Sequence, residues 1–317
     1  MSGVYGPSGR SSGRVASSGT GYKVRRSSGR VSAPEVPPSH AAPTEPSGQR
    51  VRRVSRRQLE RIHRDLSDRE RAILVDLDRF RFLTSGQLQA LHFRDHANED
   101  AAARIRRRVL ARLADLRVVE HLERRIGGVR AGSASYVWRV GVVGDRLLRG
   151  ERGEGNRLRR KEPSARHLDH CLTIATCHIE LVSAASTGRL GLLTTETEPA
   201  CWRRYLGAGG VPETLKPDLY VVTASGEYED HWFVEVDRGT ESLPTLLRKC
   251  AQYERYRRSG REQADLGVFP RVVWVVPDEA HQQRLTGEIG NARSLDSDLF
   301  RVTTPRQFAE LIIGGSA

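Results

Sequence analysis

The sequence predicts an α/β protein, of α+β type overall, in which a mainly helical unit precedes a second unit built around a β-sheet. Capping-box spacings followed by apolar residues at helical intervals predict helices from about residue 66 onward. Two apolar runs joined by a glycine-rich segment then predict a hairpin. Beyond residue 166 the apolar patterns follow the order helix, three strands, helix and strand, which predicts an αβββαβ unit.

The start of the chain is predicted to be a disordered basic tail. Residues 1–55 carry nine basic and two acidic side chains and consist mostly of serine, glycine, proline and arginine. This composition buries too little apolar surface to offset the entropy that is lost on folding. The tail is either a non-specific phosphate-binding arm or a solvated linker.

Residues 56–149 are predicted to contain three helices. Ser67 and Glu70 have the capping-box spacing at the start of the first helix, and Thr84 and Gln87 repeat it at the start of the second. The third helix lies in EDAAARIRRRVLARLADLRVV, and its apolar stripe consists of Ile105, Val109, Leu113 and Leu116. The helices are followed by two strand-like segments, VVEHLERRI and SYVWRV, which the glycine-rich GGVRAGSA joins.

Four arginines are predicted to bind DNA. Arg104, Arg107 and Arg108 lie on the polar face of the third helix, and Arg130 lies at the tip of the hairpin. Three helices followed by a hairpin is the order of a winged helix, in which the third helix enters the major groove and the hairpin contacts the backbone. The alternative is a helix face that is merely solvated.

The charge distribution favours the same partner. The net charge is +13, and residues 56–150 carry 21 basic and 13 acidic side chains, whereas residues 151–317 carry 22 and 24. A basic front half predicts that double-stranded DNA is bound there, although a solubilising excess of charge is the alternative. No apolar segment predicts a secretory signal or a membrane span, and the four cysteines form no CxxC pair. We therefore expect a cytoplasmic protein that does not bind a membrane.

The second unit is predicted to follow a charged, glycine-rich linker at residues 150–166 and to occupy residues 167–317. A helix is expected at about 167–186, and another at about 243–258. Strands are expected near 190–197, 218–222, 232–237 and 271–276, followed by a helix near 279–289, a short strand in FRVTT and a last helix from Pro305.

Three carboxylates stand on two neighbouring predicted strands. Asp218 opens KPDLYVV, and Glu235 and Asp237 lie one residue apart in HWFVEVD. With the strand order, they resemble the PD-(D/E)XK nuclease superfamily, of restriction-endonuclease-like fold. The resemblance implies Mg²⁺ ligands at Asp218 and Glu235. If the chain is an endonuclease, we expect Asp237 to be an additional ligand.

The sequence departs from that pattern where the superfamily has its lysine, because Asp237 stands there. An aspartate cannot replace the cation. Lys249, on the helix after the third strand, is the preferred substitute and shares a face with Tyr253 and Tyr256. Mg²⁺ is therefore expected only if this site is active.

A zinc site is not expected. His170, Cys171, Cys177 and His178 lack the tight paired spacing of structural zinc ligands. The cysteines belong instead to an apolar stripe along a helix, so we predict that they are part of the core.

Five stretches carry a resemblance that covers about residues 66–277: LSDRERAILVDLDRFRFLTSGQL, RIRRRVLARLADLRVVEHL, GGVRAGSASYVWRV, HLDHCLTIATCHIEL and KPDLYVV…FVEVDRGTESLPTLLRKCAQYERY. Together they are similar to the replication-relaxation proteins of actinobacterial plasmids and integrated mobile elements. The resemblance implies DNA binding in replication or transfer, and it makes Asp237 a family feature.

Three functions remain open from the sequence. The leading hypothesis is a DNA-binding protein of a mobile element with a nuclease-like domain that is inactive or atypical. The alternatives are a Mg²⁺-dependent endonuclease or nickase that uses Asp218, Glu235 and Lys249, and a transcriptional regulator. Replication or transfer proteins of the same element are possible partners, as is a second copy of the chain.

Overall fold

A computed structural model describes residues 54–95, 98–126, 135–152 and 162–315. The described residues belong to one compact unit. Its helices and sheets confirm the predicted α+β class. The predicted tail lies outside the described residues, apart from its last two positions.

The front elements are α1 (Arg56–Asp65), α2 (Asp68–Phe80), β1 (Leu83–Thr84), α3 (Ser85–His92), α4 (Glu99–Asp115), β2 (Val119–Ile126), β3 (Ser135–Val140) and α5 (Val142–Arg152). Both predicted capping boxes are present, at Ser67 with Glu70 and at Thr84 with Gln87. The three strands pair antiparallel in the order β1-β3-β2. The three predicted helices and the two predicted strands are therefore found in the expected order.

Two helices of this region were not predicted. α1 begins where the tail was expected to end, and Ser55 caps it by accepting a hydrogen bond from the Gln58 amide. Only Ile62 of α1 is buried, so its apolar pattern is too sparse to be recognised. α5 ends at Arg152, inside the predicted linker at 150–166. Its buried Leu147 and Leu148 stand among charged residues, so the sequence shows no clear apolar pattern there.

The second group of elements comprises α6 (Ala165–Ser186), β4 (Gly191–Thr197), β5 (Arg203–Leu206), β6 (Pro212–Leu215), β7 (Leu219–Ser225), β8 (Tyr228–Val236), α7 (Leu243–Arg258), α8 (Arg261–Leu266), β9 (Arg271–Val275), α9 (Glu279–Asn291), β10 (Phe300–Thr303) and α10 (Phe308–Ile313). Five strands form one sheet in the order β10-β9-β8-β7-β4. β4, β7 and β8 are antiparallel neighbours, whereas β8, β9 and β10 run parallel. β5 and β6 form a separate antiparallel pair, which was not predicted.

The two faces of the large sheet pack into two different cores. Val221 and Val234 join a core that includes Ile174 of α6. Phe233 and Val272 join a second core that includes Cys250 of α7. Because successive side chains of a strand point to opposite faces, the odd-numbered positions of β8 near its end face α7.

The helix α6 also packs against the front elements. The Gln87 amide nitrogen donates hydrogen bonds to the Leu172 carbonyl (2.8 Å) and to Thr176 (3.0 Å). Thr197 donates to the Arg79 carbonyl (3.0 Å), so β4 is tied to the end of α2 as well. Front and back elements share one core. The predicted domain boundary near residue 150 stays a prediction.

All four cysteines are free and buried. Burial raises the pKa of the Cys171 thiol to about 11 and those of Cys201 and Cys250 to about 12, and it raises that of Cys177 as well. Cys171 and Cys177 lie in the core, as predicted. Within the described residues, no helix is both long and apolar enough to cross a membrane.

Candidate nucleic-acid interface and carboxylate site

The outer face of α4 carries the three arginines that the sequence singled out. Arg104, Arg107 and Arg108 are exposed, while Leu110 and Leu113 of the same helix are buried. Asn98 caps the helix by accepting a hydrogen bond from the Ala101 amide (2.8 Å). The result is a row of cationic side chains on a helix whose opposite side is fixed in the core.

Two further arginines of α4 attach the helix to its neighbours. Arg106 donates a hydrogen bond to the side-chain oxygen Oε1 of Gln89 on α3 (2.6 Å). Burial lowers the pKa of the Arg106 guanidinium. Arg112 forms an ion pair with Glu70 at the start of α2. The five arginines of α4 therefore divide into two that hold the helix and three that face outward.

The hairpin of β2 and β3 packs beside these helices. The Trp138 indole nitrogen donates to the Ser85 hydroxyl (2.9 Å), which joins β3 to the first residue of α3. The ladder pairs Glu120 with Arg139, whose side chains form a 2.7 Å ion pair. Arg130, the predicted contact at the hairpin tip, lies outside the described residues.

Asp218 lies immediately before β7, next to the end of β8. Its Oδ2 accepts a hydrogen bond from the Val236 amide (2.7 Å), and its Oδ1 lies 3.2 Å from His170 Nε2 on α6. Asp218 is 7% exposed. Burial acts to raise its pKa, but His170 and Lys249 outweigh that effect, and the pKa is lowered.

Glu235 lies on the face of β8 that points to α7, and it is fully buried. Lys249 Nζ donates to Glu235 Oε2, and the Tyr253 hydroxyl donates to Glu235 Oε1. Burial raises the pKa of Glu235 to about 8 although Lys249 opposes the shift. Burial also acts against the Lys249 ammonium, but Glu235 and Asp218 raise its pKa. The structure thus places Lys249 at the carboxylates.

Asp237 occupies a different position. Its Oδ1 accepts hydrogen bonds from the amides of Gly239 (3.1 Å) and Thr240 (3.3 Å), so the side chain closes the turn that leaves β8. Gly239 has a φ of +70° in this turn, a conformation that a side chain disfavours. Aspartate is suited to this turn because its short side chain reaches the amide two residues on.

The superfamily resemblance implies a magnesium ion at these carboxylates. Each oxygen of Asp218 and Glu235 already accepts a hydrogen bond from the protein. Among the described residues, no group of three or more histidine, cysteine, aspartate or glutamate side chains is arranged so that it could hold a metal ion. With their oxygens hydrogen-bonded in this way, Asp218 and Glu235 do not fit Mg²⁺ as they are arranged here. Metal binding at Asp218, Glu235 and Asp237 stays a prediction.

Two clefts with both basic and acidic side chains adjoin Asp218 and Asp237. A cleft of about 270 Å³ is lined by Arg79, Arg81, His167, His170 and Asp218 among others. A second cleft of about 270 Å³ is also lined by His170, together with Arg166, Arg238, Asp237 and Glu241. Two of these arginines form ion pairs, Arg81 with Glu198 and Arg238 with Asp169. Arg79 is partly buried.

His170 and Tyr253 are the site residues whose roles the sequence did not identify. From the sequence, His170 suggested only a zinc ligand and Tyr253 only a residue on the same helix face as Lys249, yet both contact the carboxylates. The available signal was spacing, since Tyr253 lies one helical turn beyond Lys249. No pattern in the sequence relates His170 to Asp218, because the two are 48 positions apart.

The His170–Asp218 pair predicts a pH-dependent contribution to stability. Burial alone would lower the pKa of His170, but Asp218 raises it above 6.5; the pKa of Asp218 is lowered below 3.8. The contribution is therefore complete between about pH 4 and pH 6.5, falls as pH rises through the raised pKa of His170, and falls in acid as Asp218 is protonated. We expect His170→Gln to lower the unfolding free energy by roughly 2 kcal/mol at pH 5.5 and by less at pH 9.

Urea unfolding of both proteins across this pH range measures the difference. The matched control is His281→Gln, which removes an exposed histidine 2.8 Å from Asp278 and should change stability far less. A loss of stability that is the same at pH 5.5 and pH 9 would show that His170 acts only by packing.

The comparisons with known proteins give one match. Residues 74–272, more than half of the chain, match the family model described as replication-relaxation. No curated protein and no solved structure matches the chain significantly. The matched range includes α3, α4 and the residues of the carboxylate site.

Proposed function

We propose that this chain, which belongs to the replication-relaxation family, is a DNA-binding protein that acts in the replication or transfer of a plasmid or integrated mobile element. The exposed Arg104, Arg107 and Arg108 on a helix that Arg106 and Arg112 hold in place are the observation that carries this proposal. α4 enters the major groove of duplex DNA, and the three arginines bind phosphates or base edges there.

The neighbouring elements support α4 as the reading helix. α3 precedes it as the first helix of a helix-turn-helix, and Gln87 connects α3 to α6. β2 and β3 follow as the wing, and Trp138 positions them against α3. This order is that of a winged helix, in which the third helix is the one presented to the groove. Counted from α2, that third helix is α4.

Binding to duplex DNA across a salt series tests the proposal with the full-length protein. We expect the logarithm of the binding constant to fall linearly with the logarithm of the salt concentration, because Arg104, Arg107 and Arg108 displace counterions from the phosphates. Single-stranded DNA should compete less well than duplex of equal length. Failure of the full-length protein to bind duplex DNA at low salt would refute the proposal.

The second candidate function is a Mg²⁺-dependent endonuclease, and the ion pair of Lys249 with Glu235 favours it. In that candidate Lys249 would supply the cation that the superfamily has two residues after its glutamate. Against it, both Glu235 oxygens are engaged and the side chain is fully buried. We take the carboxylate site to be a hydrogen-bonded support of the sheet.

Incubation of supercoiled plasmid with the purified protein and Mg²⁺ or Mn²⁺ separates the two candidates. We expect no nicked product, because the carboxylates are held by Lys249, Tyr253 and His170. Glu235→Gln and Lys249→Met serve as matched variants that exclude a contaminating nuclease. Nicking by the wild type that both substitutions abolish would establish the endonuclease instead.

A further inference from the structure

The hairpin of β5 and β6 is a small structure of its own beside the large sheet. Its ladder pairs Arg203 with Leu215, Arg204 with Thr214 and Leu206 with Pro212. The base is fixed, because Leu215 is fully buried and Gln252 of α7 donates to the Thr214 carbonyl (3.0 Å). The tip lies beyond this anchored end.

The tip exposes large apolar side chains. Leu206 is 67% exposed and Val211 is 60% exposed, and Pro212 beside them is exposed as well. The intervening turn is closed by backbone hydrogen bonds from Gly207 to Val211 (2.8 Å) and from Gly210 to Gly207 (3.1 Å). Leu206 and Val211 thus flank one hydrogen-bonded turn. Leu206 lies opposite Pro212 in the ladder, so Val211, the neighbour of Pro212, points to the other face of the hairpin. Both side chains remain in contact with water, so neither contributes the free energy of burial.

The charges of the hairpin are sorted by face. Arg204 is exposed and alternates with the buried Tyr205, so it shares the outer face with Leu206. Glu213, the acid of the hairpin, lies opposite Tyr205 and is held by the Tyr205 hydroxyl (2.8 Å) and by Arg255 (3.5 Å). The outer face therefore offers a cation together with Leu206 and Pro212, whereas the inner face carries Val211 and the Glu213 carboxylate, which Tyr205 and Arg255 hold.

This combination fits duplex DNA, which has anionic strands outside and an apolar base stack inside. Leucine, isoleucine and proline side chains at protruding tips enter base steps from the minor groove and kink the duplex. A stable protein partner would need roughly 1,000 Å² of buried surface, far more than two side chains at a turn supply. A base step needs only a wedge of this size.

We propose that the tip of the β5–β6 hairpin is a wedge that inserts Leu206 and Val211 between stacked bases, with Arg204 on an adjacent phosphate. The inference rests on the proposed DNA binding and adds a second contact, remote in sequence from α4. β6 leads through Lys216 and Pro217 to Asp218, and Cys201 donates to the Pro217 carbonyl (3.0 Å). The base of the hairpin therefore adjoins the start of β7.

Fluorescence of 2-aminopurine tests the wedge, because this base is quenched when it is stacked. The full-length protein is added to duplexes that carry 2-aminopurine within flexible TA or CA steps. We expect a rise of about two-fold or more for the wild type on saturation. The variant Leu206→Ser/Val211→Ser should still bind, about ten-fold more weakly, with the rise abolished and the salt dependence unchanged.

A matched control replaces two exposed apolar residues elsewhere. Tyr228 is 78% exposed and Val268 is 50% exposed, so Tyr228→Ser/Val268→Ser removes comparable surface away from the tip. Its fluorescence rise and affinity should equal those of the wild type. Thermal unfolding of both variants verifies that each is folded, since exposed substitutions change stability little.

The outcomes separate the wedge from the DNA-binding proposal. Saturated binding without a fluorescence rise at any labelled step overturns the wedge and leaves DNA binding intact. A rise that survives Leu206→Ser/Val211→Ser also overturns it. If the wild type binds no duplex DNA, both proposals are refuted. If the protein self-associates without DNA and the tip variant does not, the tip is a contact between copies and the wedge is wrong.

Discussion

Replacement of Arg104, Arg107 and Arg108 together by glutamine is expected to lower the affinity for duplex DNA on the order of 100-fold near physiological salt. The three side chains are exposed on α4 and make the principal cationic row of that helix. Losing three phosphate contacts should also reduce the slope of log K against log salt by about three. Fluorescence anisotropy of a labelled duplex across a salt series measures both quantities.

The control must remove the same charge from another surface. Arg284, Arg293 and Arg306 are exposed and lie in the last part of the chain, outside the matched family range. Their replacement by glutamine should change affinity only through the net charge, by a small factor. Equal losses in the two triple variants would mean that α4 is not the DNA-binding element and that binding is a general effect of charge.

Lys249→Met is expected to destabilise the protein by roughly 3 kcal/mol, because it leaves the buried Glu235 without its cation. Glu235 is fully buried, and burial already raises its pKa to about 8 with the ammonium present. Urea denaturation at pH 9, above that pKa so that Glu235 is ionised in the wild type, measures the change as a shift of the midpoint with an unchanged slope. A fall in the slope instead would indicate that the variant no longer unfolds in two states.

A double variant identifies the cause of the loss. Glu235→Gln added to Lys249→Met replaces the stranded carboxylate by a neutral amide of the same shape, and we expect it to restore most of the stability. Arg258→Met is the matched control, since Arg258 is exposed on the same helix and lies 4.0 Å from Glu254; its effect should be below about 1 kcal/mol. If the double variant were as unstable as Lys249→Met, the loss would come from the missing hydrogen bond of the ammonium or from altered packing, and not from a stranded charge.

The elements that local patterns specify were predicted well. The capping boxes at Ser67 and Thr84 begin helices where the sequence placed them, because side chain and backbone partners lie within one turn. β7 and β8 were recognised because each has a continuous apolar run, which follows from packing on both faces of the sheet. The two strands are also neighbours in the five-stranded sheet, as expected.

The elements that depend on remote partners were missed. The β5–β6 hairpin has four residues in each strand, and only Tyr205 and Leu215 of these are buried. Its alternation of apolar and polar residues is therefore too short to be recognised. α5 is charged along most of its length and is fixed by tertiary contacts such as the Arg146 donation to the Val54 carbonyl (2.6 Å). Patterns along the chain do not include such contacts.

The carboxylate site shows the same limit at the level of single residues. Helical spacing put Lys249, Tyr253 and Tyr256 on one face, and the first two do reach Glu235. Tyr256 instead donates to Glu262 on α8, a helix that was not predicted. Spacing identifies which residues share a face, but the identity of the facing acid depends on how α7 lies across the sheet.

The buried cysteines have a practical consequence for anyone labelling this protein. The thiolate is the species that reacts with maleimides and disulfides, and burial both hides the four sulfurs and raises their pKa values. In its folded state the wild-type chain therefore behaves towards thiol reagents as if it were cysteine-free. A single Val211→Cys substitution at the exposed turn would add one accessible thiol, and a thiol-tethered duplex could be cross-linked there without removing any native cysteine.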